Sequence, residues 1–209
     1  MAKLYFSYSA MNAGKSTLLL QASHNYRERG MPTLLLTASF DDRAGVGRIG
    51  SRIGLNDSAY AFHTHDDLFE KVSALHQTHA LACVFVDEAQ FLTAVQVWQL
   101  ARVCDVLKLP VMCYGLRTDF QGKLFPGSAE LLAVADTLRE IRTICWCGSK
   151  ATMVIRMGAD GEPVDEGAQV EIGGNDKYVS LCRAHWLARD VGRAKPFAKG
   201  LAQDDLLPL

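Results

Sequence analysis

The sequence predicts an α/β fold built on a parallel sheet flanked by helices. Short apolar runs suited to strands alternate with stretches of helical period between residues 3 and 144, and Gly, Pro, Asn and Asp punctuate them. Strands joined by helical crossovers are what a parallel, doubly wound sheet requires. Of the 209 residues, 49% are hydrophobic and 22% charged, enough to fill a core and too apolar for a disordered chain.

Residues 3–8 (KLYFSY) alternate as a first strand, and 15–29 follow as a helix that Gly30 can end. Pro32 opens 33–37 (TLLLT), a run apolar on both faces. Residues 39–57 are rich in Gly, Arg and Asp and lack a period, so a long mobile loop of the functional kind is expected there. Thr64 with Asp67 reads as a capping box for a helix through about Leu75. Residues 81–86 are the next buried strand, and Thr93 with Gln96 caps a helix reaching about Leu107. A strand at 111–114, a helix at 128–135 and a final strand at 137–144 complete the sheet. Its ligand should lie beyond the carboxyl ends of the strands.

After Ile144 the composition turns to Gly, Cys and charge, with strand-like runs at 153–156 and 169–172. The expected division is a main domain at 1–144, a small metal-stapled lobe at 145–190 and a disordered tail at 191–209. Of the six cysteines, Cys83, Cys104 and Cys113 sit singly in apolar runs and read as core. Cys145-Trp-Cys147 and Cys182-Arg-Ala-His185 form two close pairs separated by 34 residues. Three thiolates and an imidazole complete a closed tetrahedral shell, which points to a structural Zn²⁺. Reduced free cysteines beside a surface His are the plainer alternative; the scarcity of core residues between the pairs favours the metal.

The chain opens without an apolar leader and nowhere approaches the ~20 apolar residues of a membrane span, so a reducing cytoplasm and no membrane partner are expected. A formal net charge of −1 offers no surplus for a phosphate backbone and counts against a general nucleic-acid binder. A small phosphorylated ligand needs only a few focused charges.

Residues Ser9-Ala10-Met11-Asn12-Ala13-Gly14-Lys15-Ser16, with Thr17 next, have the spacing of a nucleoside-triphosphate loop, with Ser9 where Gly is usual. Backbone N–H groups at a helix start surround an anion, Lys15 can reach the β- and γ-phosphates, and Ser16 can ligate Mg²⁺. The loop closes a strand and opens a helix, the context that chemistry demands. Asp87-Glu88 ends the apolar run of residues 83–86. An Asp here holds Mg²⁺ for the triphosphate, and a Glu one residue on can take a proton from an attacking hydroxyl or water. Asp87-Glu88-Ala89-Gln90 also matches the acidic box of helicase-like and other phosphate-loop ATPases, the rival reading. That rival needs nucleic-acid contacts and usually a second ATPase domain.

The segments SAMNAGKST, DDR at residues 41–43, VDEAQFL, YGLRTDFQGKLF, the Cys/His set and IGGNDKYVSLCR occur in one order between residues 5 and 185. In this the chain closely resembles the thymidine kinases of the type II, cytosolic class in their bacterial form. The resemblance implies a RecA-like phosphate-loop NTPase domain with a zinc lobe, and transfer of phosphate from ATP to the 5′-hydroxyl of thymidine in deoxynucleoside salvage. It assigns the general base to Glu88 and Mg²⁺ to Asp87 with Ser16. The segment Ser9–Thr17, the residues Asp87, Glu88, Ala89 and Gln90, and Arg43 near the triphosphate would bind the nucleotide. Phe91, Leu116, Phe120 and Phe125 would line the base and sugar pocket. Gln169, Val170, Glu171, Ile172, Gly173 and Tyr178 would form a loop whose backbone reads the thymine edge. Family members often form homotetramers, which the resemblance extends to this chain.

Overall fold

The computed structural model describes residues 2–40, 45–171 and 177–192. Arg43, Ile172, Gly173 and the tail from residue 193 lie outside the described residues.

In chain order the elements are β1 (Leu4–Ser9), α1 (Lys15–Arg27), β2 (Thr33–Ala38), β3 (Arg48–Gly50), β4 (Asn56–Ser58), β5 (Tyr60–Phe62), α2 (Leu68–His79) and β6 (Cys83–Val86). A one-turn 3₁₀ segment at Ala89–Phe91 leads to α3 (Ala94–Arg102), a π-turn at Val103–Leu107, β7 (Val111–Leu116), α4 (Pro126–Val134) and β8 (Thr137–Glu140). Then follow β9 (Thr143–Ile144), β10 (Lys150–Ala151), β11 (Met153–Met157), β12 (Pro163–Val164), β13 (Tyr178–Leu181) and α5 (Arg183–Ala188).

Six strands form one parallel sheet in the order β5-β2-β6-β7-β1-β8. Because side chains alternate along a strand, each central strand feeds two cores. On β6, Val84 and Val86 pack with Leu68, Val72, Val97, Leu100 and Leu131 from α2, α3 and α4. Cys83 and Phe85 point the other way, to Leu19 and Leu20 of α1. Strand β7 divides likewise, with Val111 and Cys113 on one side and Tyr114 on the other. Each such fully buried side chain contributes about 1.5–3 kcal/mol. The α/β class is therefore the observed one, with helices on both faces. Cys83, Cys104 and Cys113 are buried free thiols, as expected, and burial pushes Cys83 up to about 12 and Cys104 to about 11.

Four local expectations change. Within residues 39–57 the described part from residue 45 holds a two-stranded hairpin, β3 with β4, rather than a structureless loop. Periodicity missed it because each strand is three residues long. Helix α2 is capped by Asp67, whose carboxylate accepts the Glu70 N–H at 3.0 Å, with Thr64 in the preceding turn. The expected last strand divides: β8 closes the large sheet, and β9 pairs with β10 instead. Residues 169–171 are irregular, whereas β11 pairs with β12 and β13 in a separate three-stranded antiparallel sheet. The capping box at Thr93 and Gln96 is present in full.

Candidate active site

The phosphate loop runs from the end of β1 into α1. Gly14 occupies the N-cap with φ 79°, a left-handed conformation that carries a penalty for any residue with a Cβ. Asn12, at φ 64°, is of a type that tolerates this region. Ser9 needs no such freedom, since it pairs with Leu116 as the last residue of a parallel strand. Its side chain has a use instead. Lys15, buried, donates from Nζ to Ser9 Oγ and to the Ala10 carbonyl, both at 3.1 Å, while Ser9 Oγ donates to that same carbonyl at 2.7 Å. The serine thus holds the lysine over the loop. The first-turn N–H groups of α1 face the same space, as a helix start offers them.

Strand β6 delivers the acidic pair to the same end of the sheet. Asp87 is 3% exposed, and its N–H is bound by the Leu36 carbonyl at 2.9 Å. Burial, then the Glu88 charge, raises its carboxyl well above the usual range; the Ser16 hydroxyl and Lys15 pull the other way. Glu88 follows in the left-handed region at φ 51°, a strained setting for a non-glycine residue. Its carboxylate accepts a 2.5 Å hydrogen bond from Gln90 Nε2, and Gln90 Oε1 accepts the Leu116 N–H at 2.9 Å.

Two cavities meet at this point. A groove of about 1470 Å³ is lined by residues 11–17 of the phosphate loop, Thr37, Asp87, Glu88, Leu116 and residues 48–53 of the β3–β4 hairpin. A second, of about 570 Å³, lies among Met11, Phe40, Glu88, Gln90, Phe91, Leu116, Thr118, Asp119, Phe120, Phe125, Val154, Gln169, Val170, Glu171 and Tyr178. Aromatic walls combined with polar groups such as Gln90, Asp119 and Gln169 suit a small organic ligand. Phe91 stands edge-on between Phe40 and Phe125, with centroid distances of 4.5 and 5.8 Å. Met11, Glu88 and Leu116 line both cavities.

The described residues expected at the nucleoside pocket all line the second cavity. Ala89 and Gln90, expected beside the nucleotide, do not line the phosphate groove: Ala89 is fully buried within the turn and Gln90 lines the aromatic cavity. Sequence reasoning passed over Phe40, Thr118, Asp119 and Val154, and the Arg48 and Arg52 cations that the hairpin brings over the phosphate groove. The basic residues within 39–57 were the available signal for the last two.

The thymidine kinase family model matches residues 2–186. The chain belongs to the thymidine kinase family. It is 68% identical to a thymidine kinase of Agrobacterium fabrum over 187 residues, 90% of this chain and 97% of that one. A thymidine kinase of Jannaschia sp. is also 68% identical, over 89% of this chain and 95% of that one. Among solved structures, a replication initiator DnaA bound to AMPPCP and single-stranded DNA aligns with TM-score 0.38 and 14% identity, over 68% of this chain and 41% of that chain, a likeness too slight to bear on function.

This thymidine kinase family member also assembles the Cys/His cluster. The ligand atoms of Cys145, Cys147, Cys182 and His185 all lie within 4.8 Å of one another. His185 Nδ1 is 3.5 Å from Cys145 Sγ and 3.3 Å from Cys182 Sγ. Tetrahedral zinc with bonds of about 2.3 Å to sulfur and 2.0–2.1 Å to nitrogen gives edges of roughly 3.5–3.8 Å, so the donor set fits that ion. The fold supplies the geometry simply. The Cys145–Cys147 pair sits in the turn between β9 and β10, which Gly148 at φ 84° closes. Cys182 is the N-cap of α5, and His185 lies three residues on, on the same helix face. Hydrogen bonds from Ser149 lower the exposed Cys147 thiol to about 6, whereas burial raises Cys145.

Among the described residues, no helix is long and apolar enough to cross a membrane.

Proposed function

We propose that the chain transfers the γ-phosphoryl group of ATP to the 5′-hydroxyl of thymidine, with Glu88 as general base. The observation that carries this is that Glu88 lines both cavities, between the phosphate loop and the aromatic pocket. A base must reach the acceptor hydroxyl at the point where it meets the γ-phosphorus, and Glu88 is the titratable group common to both spaces.

Transfer of this kind asks the protein for position and charge more than for covalent chemistry. Lys15 and the amides of residues 10–17 bind the phosphate oxygens. Phe91, Phe120, Phe125 and Leu116 hold the base and sugar, with Gln169, Val170, Glu171 and Tyr178 on the far wall. As the 5′-oxygen bonds to the γ-phosphorus, the bond to the β,γ-bridging oxygen breaks, ADP leaves, and the hydroxyl proton passes to Glu88. Ser16 and Asp87 would hold Mg²⁺, which would neutralise charge on the β- and γ-phosphates. Arg48 and Arg52 add positive charge over the groove. A structural Zn²⁺ on Cys145, Cys147, Cys182 and His185, a homotetrameric assembly and a reducing cytoplasm complete the reading.

ATP consumption measured with each nucleoside in turn, and with single-stranded DNA or RNA, tests it. Stimulation by thymidine with formation of its monophosphate is expected. Stimulation by nucleic acid alone would overturn the reading in favour of an ATPase with an acidic box.

A further inference from the structure

Arg156 leaves the antiparallel sheet from β11 and turns back beneath the segment 165–171, where it is 4% exposed. A cation this deep must be compensated on every side. Nη1 donates to the Ala168 carbonyl at 2.8 Å and Nη2 to the Glu166 carbonyl at 3.1 Å. The guanidinium lies 3.9 Å over the Phe120 ring, and Nη1 is 3.5 Å from the Glu171 carboxylate. Phe120 and Glu171 are both walls of the aromatic cavity. The chain is shaped to admit this fork: Gly167, between the two bonded carbonyls, has φ 137°, and a Cβ there would lie inside contact distance of Nη2.

We propose that Arg156 is a positioning residue for nucleoside affinity, holding the backbone of residues 166–171 against Phe120 so that the pocket wall of Gln169, Val170 and Glu171 stands formed before substrate arrives. This rests on the thymidine reading of that cavity. The wall is otherwise loosely built, since residues 165–171 carry no regular secondary structure. Its further ties run through side chains. Gln169 Nε2 donates to Asp119 Oδ2 at 2.9 Å, the Tyr178 hydroxyl donates to the Glu171 carbonyl at 2.8 Å, and Lys177 pairs with the Glu171 carboxylate. Only a planar fork can serve two carbonyls and stack on a ring together; an ammonium cannot. Ordering the wall in advance removes that entropy from the binding step, and so it acts on affinity rather than on turnover.

The test measures kcat and KM for thymidine and for ATP in the unaltered chain, the Arg156→Met and Arg156→Lys variants, and Gly167→Ala, which keeps the arginine but sets a Cβ against Nη2 and so parts the fork from its two carbonyls. The expected result is a thymidine KM raised roughly tenfold or more in Arg156→Met and Gly167→Ala, with Arg156→Lys between. The ATP KM should stay within about twofold. A merely structural role would lower the active fraction, dropping kcat while leaving both KM values unchanged, and that result overturns the proposal. So does a parallel rise in both KM values. Should Arg156→Met not fold, Gly167→Ala and Arg156→Lys decide by the same split. Failure of the unaltered chain to phosphorylate thymidine would overturn the underlying reading of the cavity, and is seen separately.

Discussion

Gln90 holds Glu88 by its carboxylate: Nε2 donates to Glu88 Oε2 at 2.5 Å, and the other end of the same amide accepts the Leu116 N–H at 2.9 Å. Gln90 is 1% exposed and its orientation is fixed by β7, so the clamp holds Glu88 from the buried side. A hydrogen bond to a charged group contributes about 1.5–3 kcal/mol, and here it also fixes a side chain whose backbone sits at φ 51°. Gln90→Leu removes both ends of the clamp with little change in volume. Its kcat for thymidine phosphorylation should fall roughly tenfold or more while the ATP KM stays near normal. Steady-state kinetics check this, and a kcat equal to the parent's would show that Glu88 orients itself.

Replacing the proposed base, Glu88, should cost more. Glu88→Gln keeps the size and the capacity to bond, and loses proton acceptance. Both substrates should still bind, with turnover down by roughly 10²-fold or more. Equilibrium binding of ATP and thymidine beside single-turnover rates separates the two effects, and near-normal turnover would remove Glu88 from the role.

The turn that carries the clamp is itself wedged between two glycines. A Cβ on Gly115 would stand 2.8 Å from Gln90 Oε1 and 2.9 Å from its N. On Gly127, in the first turn of α4, a Cβ would stand 2.6 Å from the Ala89 carbonyl, 2.7 Å from that of Leu92 and 2.9 Å from that of Gln90. Backbone oxygens cannot swing aside as a flexible side chain can, so Gly127→Ala must push the Ala89–Phe91 turn. A stability loss of about 1–3 kcal/mol, read as a lower Tm, should accompany a reduced kcat. An unchanged melting curve would mean that α4 shifts at no cost.

Much of this was legible in the sequence, where chemistry has a fixed spacing. The phosphate loop, the acidic pair and the Cys/His set are defined by local steps along the chain, and each lies together in the fold. The buried strands announced themselves as apolar runs. What escaped was non-local or short. Gln90 reads as part of an acidic box, and nothing in the chain says that its amide turns back to Glu88 and across to Leu116. Phe40 and Val154 are unremarkable alone and become pocket walls only when the turn after β2 and strand β11 converge on one cavity. The β3–β4 hairpin has strands too brief for any period to appear.

The Cys/His cluster lies outside the aromatic cavity, and a short route connects the two. His185 sits on α5, and the next residue, Trp186, donates from its indole N–H to the Phe120 carbonyl at 3.2 Å and the Val154 carbonyl at 3.0 Å. On the neighbouring strand the Ser180 hydroxyl donates to the Met11 carbonyl at 2.7 Å. Helix α5 is only six residues long and buries no residue fully, so besides the Trp186 contacts a metal held by Cys182 and His185 would be a main tie on its first turn. Cys182→Ser replaces a thiolate by a weaker ligand and should lose zinc in elemental analysis, where the parent chain should show about one ion per chain. Loosening of α5 then withdraws Trp186 from the Phe120 wall. Thymidine KM should rise, and Tm should fall, while ATP protection of the phosphate loop against proteolysis persists. A parent protein without zinc, or a zinc-free variant with normal thymidine KM, would show that the helix stands without the metal.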